Sequence, residues 1–245
     1  MKHPSTFAAI FDLDGTLLDS MRSFNKIIIS NLEKTGVSVT PESMETIGVY
    51  LLKKFQAPQT NSGIRLIFYI FWRIGREMSL GRLKAIYFAL NCIRKVKSVY
   101  ENAPLFPDVK LSLSKLINHG FQLGICTNAS RKQLVETIEK HGIKEFFHPD
   151  ALISRDDVLR IKPDPEGLLM AIEACSTSPQ HCYFLGDMPV DILAGNDAGV
   201  DTIGLTTGLV SKAVLLRYSA PSTVVDSLEQ AISWILASRN LEQDL

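Results

Sequence analysis

The stretch "FAAIFDLDGTLLDSM", residues 7–21, joins a short apolar run to two aspartates. The run "FAAIF" predicts a buried β-strand, and Asp12 and Asp14 stand directly behind it, followed by Gly15 and Thr16. Two close carboxylates repel each other unless a positive charge lies between them or one of them holds a proton. The stretch therefore predicts a strand that ends at a cation-requiring site.

Apolar runs of strand length recur in the second half of the chain and alternate with amphipathic stretches of helical length. The further strands are predicted at residues 121–126, 151–154, 182–186 and 200–205, and the helices at 108–120, 130–142, 164–175 and 189–199. Ser130 and Asp164 are expected to cap two of these helices, and Pro165 suits a first helical turn. The alternation predicts an α/β fold with a doubly wound parallel sheet, whose ligands bind at the carboxyl ends of the strands.

No strand signal appears between about Met21 and Glu101, where the pattern becomes helical. We therefore predict an inserted α-helical domain at residues 21–101. The α/β core would then comprise residues 1–20 and 102–245. This insertion separates the first predicted strand from the rest of its sheet.

Composition limits the class of protein. The 245 residues are 46% hydrophobic, enough for a substantial core, and the 26 basic and 26 acidic side chains give no overall bias toward nucleic acid. The four cysteines lack C-x-x-C spacing and fall in apolar runs, which favours reduced thiols and a cytoplasmic location. The most apolar run, "LIFYIFW" from Leu66, is too short to span a membrane, so we expect no transmembrane segment.

Polar side chains follow the predicted strands. Thr127 and Asn128 follow the second strand, Asp187 and Asp191 follow the fourth, and Lys162 precedes a helix. Carboxylates at separate strand ends suit a hard cation such as Mg²⁺, which prefers oxygen ligands and keeps water or phosphate in its shell. A lysine and a hydroxyl complete a candidate phosphate site.

Four segments in this order resemble the motifs of the haloacid dehalogenase-like phosphohydrolases. They are "DLDGTLLDS" (12–20), "ICTNAS" (125–130), "KPDPEG" (162–167) and "GDMPVDILAG" (186–195). The resemblance covers residues 7 to about 208 and is to the phosphoglycolate phosphatase-like branch, which carries a helical cap. It implies a Rossmann-like core, an inserted cap and a Mg²⁺-dependent phosphatase acting on a small phosphate monoester, with phosphoglycolate as a candidate.

The resemblance also implies a role for each motif residue. Asp12 would be the nucleophile that forms an aspartyl-phosphate, and Asp14 would act as general acid and then general base. The Asp12 carboxylate, the Asp14 carbonyl and Asp187 would bind Mg²⁺, with Asp191 orienting these ligands. An alternative for Asp191 is a purely structural place at a helix N-terminus, where the helix dipole favours an acidic side chain.

The remaining motif residues are expected to bind the transferred phosphoryl group. The resemblance assigns its nonbridging oxygens to the Thr127 hydroxyl, the Asn128 backbone amide and the Lys162 ammonium. Their positive and hydrogen-donating groups would stabilise charge in the transition state.

The predicted helical domain is basic between residues 64 and 100, where eight Lys or Arg accompany Glu77 alone. Three interpretations remain open. Its helices pack on each other and leave the arginines solvated; or arginines bind a second anionic group of the substrate; or the surface contacts a second copy of the chain or a membrane. The candidates for the second interpretation are Arg65, Arg73, Arg76 and Arg82.

Two other functions compete with a phosphatase. A β-phosphoglucomutase-like isomerase usually carries a cap histidine ten residues after the second motif aspartate, and here that position is Phe24. Alternatively, the cap docks on a partner or membrane and catalysis is incidental. The phosphatase ranks first because every motif residue that it requires is present.

Overall fold

A parallel sheet is the centre of the α/β part of the molecule. The computed structural model describes residues 7–40, 43, 47 and 64–243. Within them the strand order is β3-β2-β1-β4-β5-β6, and every neighbouring pair is parallel. The strands are β1 (Ala8–Phe11), β2 (Gln122–Cys126), β3 (Leu152–Ile153), β4 (Cys182–Gly186), β5 (Asp201–Leu205) and β6 (Thr223–Val225).

The first strand occupies the middle of the sheet because later strands add on both sides of it. β2 and β4 both pair with β1, so that Ile10 lies opposite Gly124 on one side and Phe184 on the other. All residues of β1 and β4 are buried, as the continuous apolar runs predict for a sheet covered on both faces. The strand order reverses at β1, so its carboxyl end lies at the topological switch point.

The described helices alternate with the strands in the second half of the chain, as predicted. In chain order they are α1 (Ser20–Glu33), α2 (Ile64–Glu77), α3 (Arg82–Asn102), α4 (Val109–Asn118), α5 (Arg131–Lys140), α6 (Glu166–Ala174), α7 (Pro189–Ala198), α8 (Lys212–Ser219) and α9 (Leu228–Gln243). None of these described helices has both the length and the apolarity required to cross a bilayer.

Helix starts follow the predicted caps with one correction. The Ser130 hydroxyl accepts the Gln133 amide at the start of α5, as expected. α6 instead begins at Glu166, so Pro165 occupies the N-cap position rather than the first turn. The Asp164 carboxylate still accepts the Glu166 amide at 3.0 Å, which satisfies a helix-end donor from one position further out.

The chain separates into two compact units, Met1–Asp19 with Pro104–Leu245, and Ser20–Ala103. The first holds the sheet and α4 to α9, and the second holds α1, α2 and α3. In the helical unit, α2 and α3 pack closely because Gly75 leaves room for Ala85 and Phe88. The fold class is therefore the predicted one, an α/β parallel sheet with a separate helical unit.

Candidate active site

Asp12 is held at the end of β1 by the sheet itself. Its amide donates to the Leu185 carbonyl at 2.9 Å, which extends the strand pairing one residue past Phe11. The Asp12 side chain is buried, and Asp14 lies half-buried two residues further on. Gly15 then takes a left-handed φ of 82°, a conformation that glycine adopts without a Cβ clash. The strand therefore ends in a turn that keeps both acids at the sheet edge.

Lys162 joins two of the predicted acids. Its ammonium lies 2.6 Å from a carboxylate oxygen of Asp12 and 2.6 Å from one of Asp191, and it donates to the Cys126 carbonyl at 2.9 Å. Burial alone would lower the pKa of Lys162, but the Asp12 and Asp191 carboxylates raise it above its ordinary value. Lys162 therefore remains a cation inside the core, although it is 3% exposed.

The Asn128 side chain positions the backbone of Lys162. Its amide nitrogen donates to the Lys162 carbonyl at 3.2 Å, and its carbonyl oxygen accepts the Lys162 amide at 3.1 Å. These two bonds connect the end of β2 with the loop before α6, 34 residues later. The family resemblance implies a role for the Asn128 backbone amide and does not indicate this side-chain role.

Asp187 is buried, and its carboxylate has no hydrogen bond to another side chain or backbone group among the described residues. The side chain is fully inaccessible to solvent. One oxygen each from Asp12, Asp187 and Asp191 lie within 4.8 Å of one another. Burial, followed by the charges of Asp191 and Asp12, raises the pKa of Asp187 well above its usual range.

The surroundings of Asp187 fit a divalent cation. A side chain at either Gly15 or Gly208 would collide with the Asp187 carboxylate, so the two glycines leave the room that this carboxylate occupies. Asp187 and its two neighbouring acids supply carboxylate oxygens, the ligand type that hard cations such as Mg²⁺ require. The acidic cluster can therefore hold a metal ion, whose positive charge would offset the repulsion between the carboxylates.

Asp191 has a structural bond as well as a place in the cluster. One of its oxygens accepts the Met188 amide at 2.9 Å at the start of α7, and another is bound by Lys162. Burial raises the pKa of Asp191, and Lys162 partly offsets this effect. The two interpretations of Asp191 are therefore compatible, since one carboxylate both caps the helix and fixes the lysine.

Thr127 lies buried at the end of β2, facing the same sheet edge as Asp12. Its amide donates to the Ile153 carbonyl at 2.9 Å, and its hydroxyl oxygen accepts the Ala129 amide at 3.1 Å. The second bond fixes the hydroxyl in the turn before α5. The structure thus places the predicted core residues at the carboxyl ends of β1, β2 and β4, in the loop before α6 and in the first turn of α7.

Two residues at this edge were not predicted. The Gln133 side chain, from α5, donates to Asp14 at 3.4 Å, and the Thr207 hydroxyl donates to the Gly15 carbonyl at 2.5 Å. We call the expectation that site residues follow the carboxyl ends of parallel strands the strand-end rule. Thr207 follows the end of β5, so this rule applied to β5 would have identified it. Nothing in the sequence distinguishes Gln133 from other polar residues of a helix.

The candidate arginines of the helical unit make local contacts where their side chains are described. Arg73 pairs with Glu77 at 2.8 Å, and Arg76 donates to the Leu80 carbonyl at 2.6 Å. Arg82 is exposed at the first residue of α3. The Arg65 side chain lies outside the described residues.

A family comparison explains why these groups converge. The model of the haloacid dehalogenase-like hydrolase family matches residues 9–205, a range that contains all four motifs, β1 except Ala8, and β2 to β5. The chain belongs to the haloacid dehalogenase-like hydrolases. It is accordingly an enzyme, and the confirmed family is the one that the four motifs indicated.

Individual relatives agree with this membership. A phosphoglycolate phosphatase from Yersinia pestis is 29% identical over 198 residues, covering 81% of this chain and 80% of the relative. A pyrophosphatase PpaX from Bacillus velezensis is 28% identical over 211 residues, covering 86% and 88%. A haloacid dehalogenase-like protein from Agrobacterium tumefaciens has the same fold, with a TM-score of 0.69, 22% identity and coverage of 96% and 99%.

Proposed function

We propose that this family member is a Mg²⁺-dependent phosphatase that hydrolyses a small phosphate monoester through an aspartyl-phosphate on Asp12, with phosphoglycolate as the candidate substrate. The observation that carries the proposal is the buried Asp12–Lys162 pair beside the uncompensated Asp187. Curated relatives named for hydrolysis of phosphoglycolate and of pyrophosphate support phosphoryl chemistry. Phosphoglycolate and pyrophosphate each carry a second anionic group next to the phosphoryl group.

In the first step, an Asp12 carboxylate oxygen attacks phosphorus as the bond from phosphorus to the ester oxygen breaks. Asp14 gives its proton to the departing oxygen, which leaves as an alcohol. In the second step, Asp14 takes a proton from water while the water oxygen attacks phosphorus, and the bond to Asp12 breaks to release inorganic phosphate. The half-buried position of Asp14, next to buried Asp12, supports this division of roles.

Mg²⁺ would be held by the Asp12 carboxylate, the Asp14 backbone carbonyl and Asp187. When bound, it supplies positive charge that neutralises the acids and the phosphoryl oxygens. Asp191 fixes Lys162 and the start of α7, and so orients the neighbouring ligands without occupying a ligand position itself. The Asp187 carboxylate, buried and without a hydrogen-bond partner among the described residues, supports this assignment.

Phosphate binding is proposed for Thr127, the Asn128 amide and Lys162. Lys162 lies against the Asp12 oxygen and carries the charge that a nonbridging oxygen requires. The Asn128 side chain holds the Lys162 backbone in place through hydrogen bonds to its carbonyl and its amide. The three groups come from two different loops, so both loops must be in place before phosphate is bound.

Residues 21–101 would act as a cap domain that selects the substrate, and residues 1–20 with 102–245 as the catalytic domain. Arg82, with Arg65, Arg73 and Arg76 as further candidates, would bind the second anionic group, because a guanidinium grips a carboxylate or phosphate with two bonds. We place the enzyme in the cytoplasm, since its four cysteines are buried and free of disulfides.

The mutase alternative receives no support from the position that would carry its histidine. Phe24 packs its ring 5.6 Å from that of Phe71 inside the helical unit. A phenyl ring neither donates nor accepts a proton. The position therefore serves packing in this chain, whereas the isomerase would require an acid–base group there.

Phosphate release from matched substrates tests the proposal. With Mg²⁺, phosphoglycolate should be hydrolysed with a kcat/KM about tenfold to a hundredfold above that of ethyl phosphate, which replaces the carboxylate with a methyl group. Pyrophosphate belongs in the same panel. Arg82→Ala should reduce this ratio and leave ethyl phosphate hydrolysis unchanged. Equal rates for the two monoesters would refute the second anionic group, and release that persists in a chelator would refute the metal.

A further inference from the structure

The exposed face of α3 carries an apolar stripe that the proposed reaction does not use. Leu83, Ile86, Tyr87 and Leu90 are 83%, 40%, 60% and 44% exposed. Their three- and four-residue spacings place them along one side of the helix, over about two turns. The opposite side packs into the helical unit through Ala85, Phe88, Ala89 and Cys92, which are buried.

Cations border this stripe. At about 100° per residue, Arg82 lies at one edge, Lys84 and Lys95 lie at the other, and Arg94 extends the stripe by a turn. All four cations are exposed, and Lys84 also donates to the Thr35 carbonyl at 3.3 Å. The sequence has no Asp or Glu from residue 82 to residue 100, so acids of this segment do not neutralise the face.

We propose that the helical unit docks on a bilayer surface rich in anionic lipids through this stripe. An interfacial helix inserts its apolar side chains at the boundary between headgroups and acyl chains, and its flanking cations meet lipid phosphates. The stripe has that arrangement, with Leu83, Tyr87 and Leu90 along its middle. The cations assigned to lipid phosphates are Lys84, Arg94 and Lys95, since Arg82 is proposed for the substrate. Charge complementarity therefore identifies the occupant as a negatively charged lipid surface.

A second copy of this chain fits the same face less well. A two-fold contact would place each stripe against itself, so that Arg82, Lys84, Arg94 and Lys95 of the two copies would face one another. The stripe also has only four apolar side chains per copy, a small patch for the roughly 1,000 Å² that the two partners of a stable interface bury together. A bilayer needs neither self-complementarity nor a large rigid area.

Co-sedimentation of the full chain with vesicles tests this inference. The wild type should bind vesicles of phosphatidylcholine with phosphatidylglycerol, and should not bind phosphatidylcholine alone. Leu83→Glu with Tyr87→Glu, and separately Arg94→Glu with Lys95→Glu, should each lower the partition coefficient about tenfold or more. The matched controls in the core unit are Leu111→Glu and Lys110→Glu with Lys115→Glu, all at exposed positions, and they should bind like the wild type.

Each result decides the matter, provided that circular dichroism shows every variant folded. No binding to anionic vesicles by the wild type overturns the inference, and an acidic protein partner would then be the better occupant of the face. Equal losses in the core-unit controls overturn it as well, since binding would then follow total charge. A dimer in sedimentation velocity that Leu83→Glu dissolves, without vesicle binding, would assign the stripe to a second copy. Asp12→Asn should bind vesicles like the wild type, which separates this test from the phosphatase proposal.

Discussion

The core unit and the helical unit use charged side chains in opposite ways. In the core, Lys162 bonds to both Asp12 and Asp191 with almost no solvent access, and Asp187 is buried beside them without a hydrogen-bond partner among the described residues. In the helical unit, Arg73 pairs with Glu77 one turn away, and each side chain is 38% exposed. Burial makes each core charge depend on its neighbours, whereas solvent screens the helical charges. We therefore expect substitutions of charged residues in the core to affect catalysis and stability strongly. Substitutions of charged residues in the helical unit should have small effects on stability.

The largest effect is expected at Asp12, the proposed nucleophile. Asp12→Asn removes the attacking oxygen's charge, and we expect kcat to fall by a factor on the order of 10⁴ or more, measured as phosphate release. Asp150→Asn, an exposed position in the same unit, should keep wild-type activity. Substantial turnover by Asp12→Asn would mean that another group attacks phosphorus.

Removal of the shared cation should destabilise the core. Lys162→Met leaves Asp12 and Asp191 facing each other without a positive charge, and breaking such a buried pair costs about 3–5 kcal/mol. Urea unfolding in the presence of a chelator measures this loss. Lys132→Met, at an exposed lysine of α5, should change the free energy of unfolding by less than about 1 kcal/mol. Similar effects of the two substitutions would remove the contrast between buried and exposed charges.

The effect of Asp187→Asn on stability should depend on whether Mg²⁺ is present. In a chelator, Asp187→Asn should raise the free energy of unfolding by about 1–3 kcal/mol, because it removes a buried charge that has no partner. Added Mg²⁺ should raise the Tm of the wild type and leave that of Asp187→Asn unchanged. Thermal scans of both proteins, with and without Mg²⁺, check this dependence, and equal Mg²⁺ responses would exclude Asp187 as a ligand.

A smaller effect is expected at Gln133, whose side chain on α5 contacts Asp14, the proposed general acid. Gln133→Met removes the donor to Asp14, a long bond at 3.4 Å, so kcat should fall about threefold to tenfold. Glu136→Met, exposed on the same helix, is the control, and identical kinetics for the two variants would show that the bond does not matter.

The smallest effect is expected in the helical unit. Arg73→Ala breaks an exposed pair within one helix and should lower the free energy of unfolding by only about 0.5 kcal/mol or less. Urea unfolding with the same protocol as for Lys162→Met gives the direct comparison. A loss above about 2 kcal/mol would show that this unit, too, depends on its charges.

The strand-end rule explains why most of the site could be predicted. Parallel strands end at one edge of the sheet, so Asp12, Thr127 and Asp187 were expected to converge from their places after apolar runs. Lys162 required the family resemblance as well, because it lies in a loop whose path the strand pattern does not determine. The role of Asn128 depends on the path of the loop that contains Lys162, and the role of Gln133 depends on which side of α5 faces Asp14. A single sequence determines neither.

The rest of the fold shows the same limit. β6 has three residues, too few for a periodic signal, and it was not predicted. The place of Thr207 after β5 could have identified it as a residue at the edge of the sheet where the site lies. Its contact with Gly15, 192 residues away, depends on the order of the strands, which no local pattern gives. Residues 64–77 and 82–102 form helices as expected, yet the apolar surface of α3 emerges only when the exposure of each side chain is known.

Trapping the covalent intermediate tests the central claim most directly. The substrate is an aryl phosphate, whose leaving group needs little protonation. In Asp14→Asn, Asp12 should therefore still attack phosphorus, but hydrolysis of the resulting aspartyl-phosphate should be slow. Mass spectrometry of the acid-quenched protein with Mg²⁺ is then expected to find a phosphoryl group on the peptide that contains Asp12, and none in Asp12→Asn with Asp14→Asn. Release of the aryl group with no adduct, or with an adduct on another residue, would contradict the account.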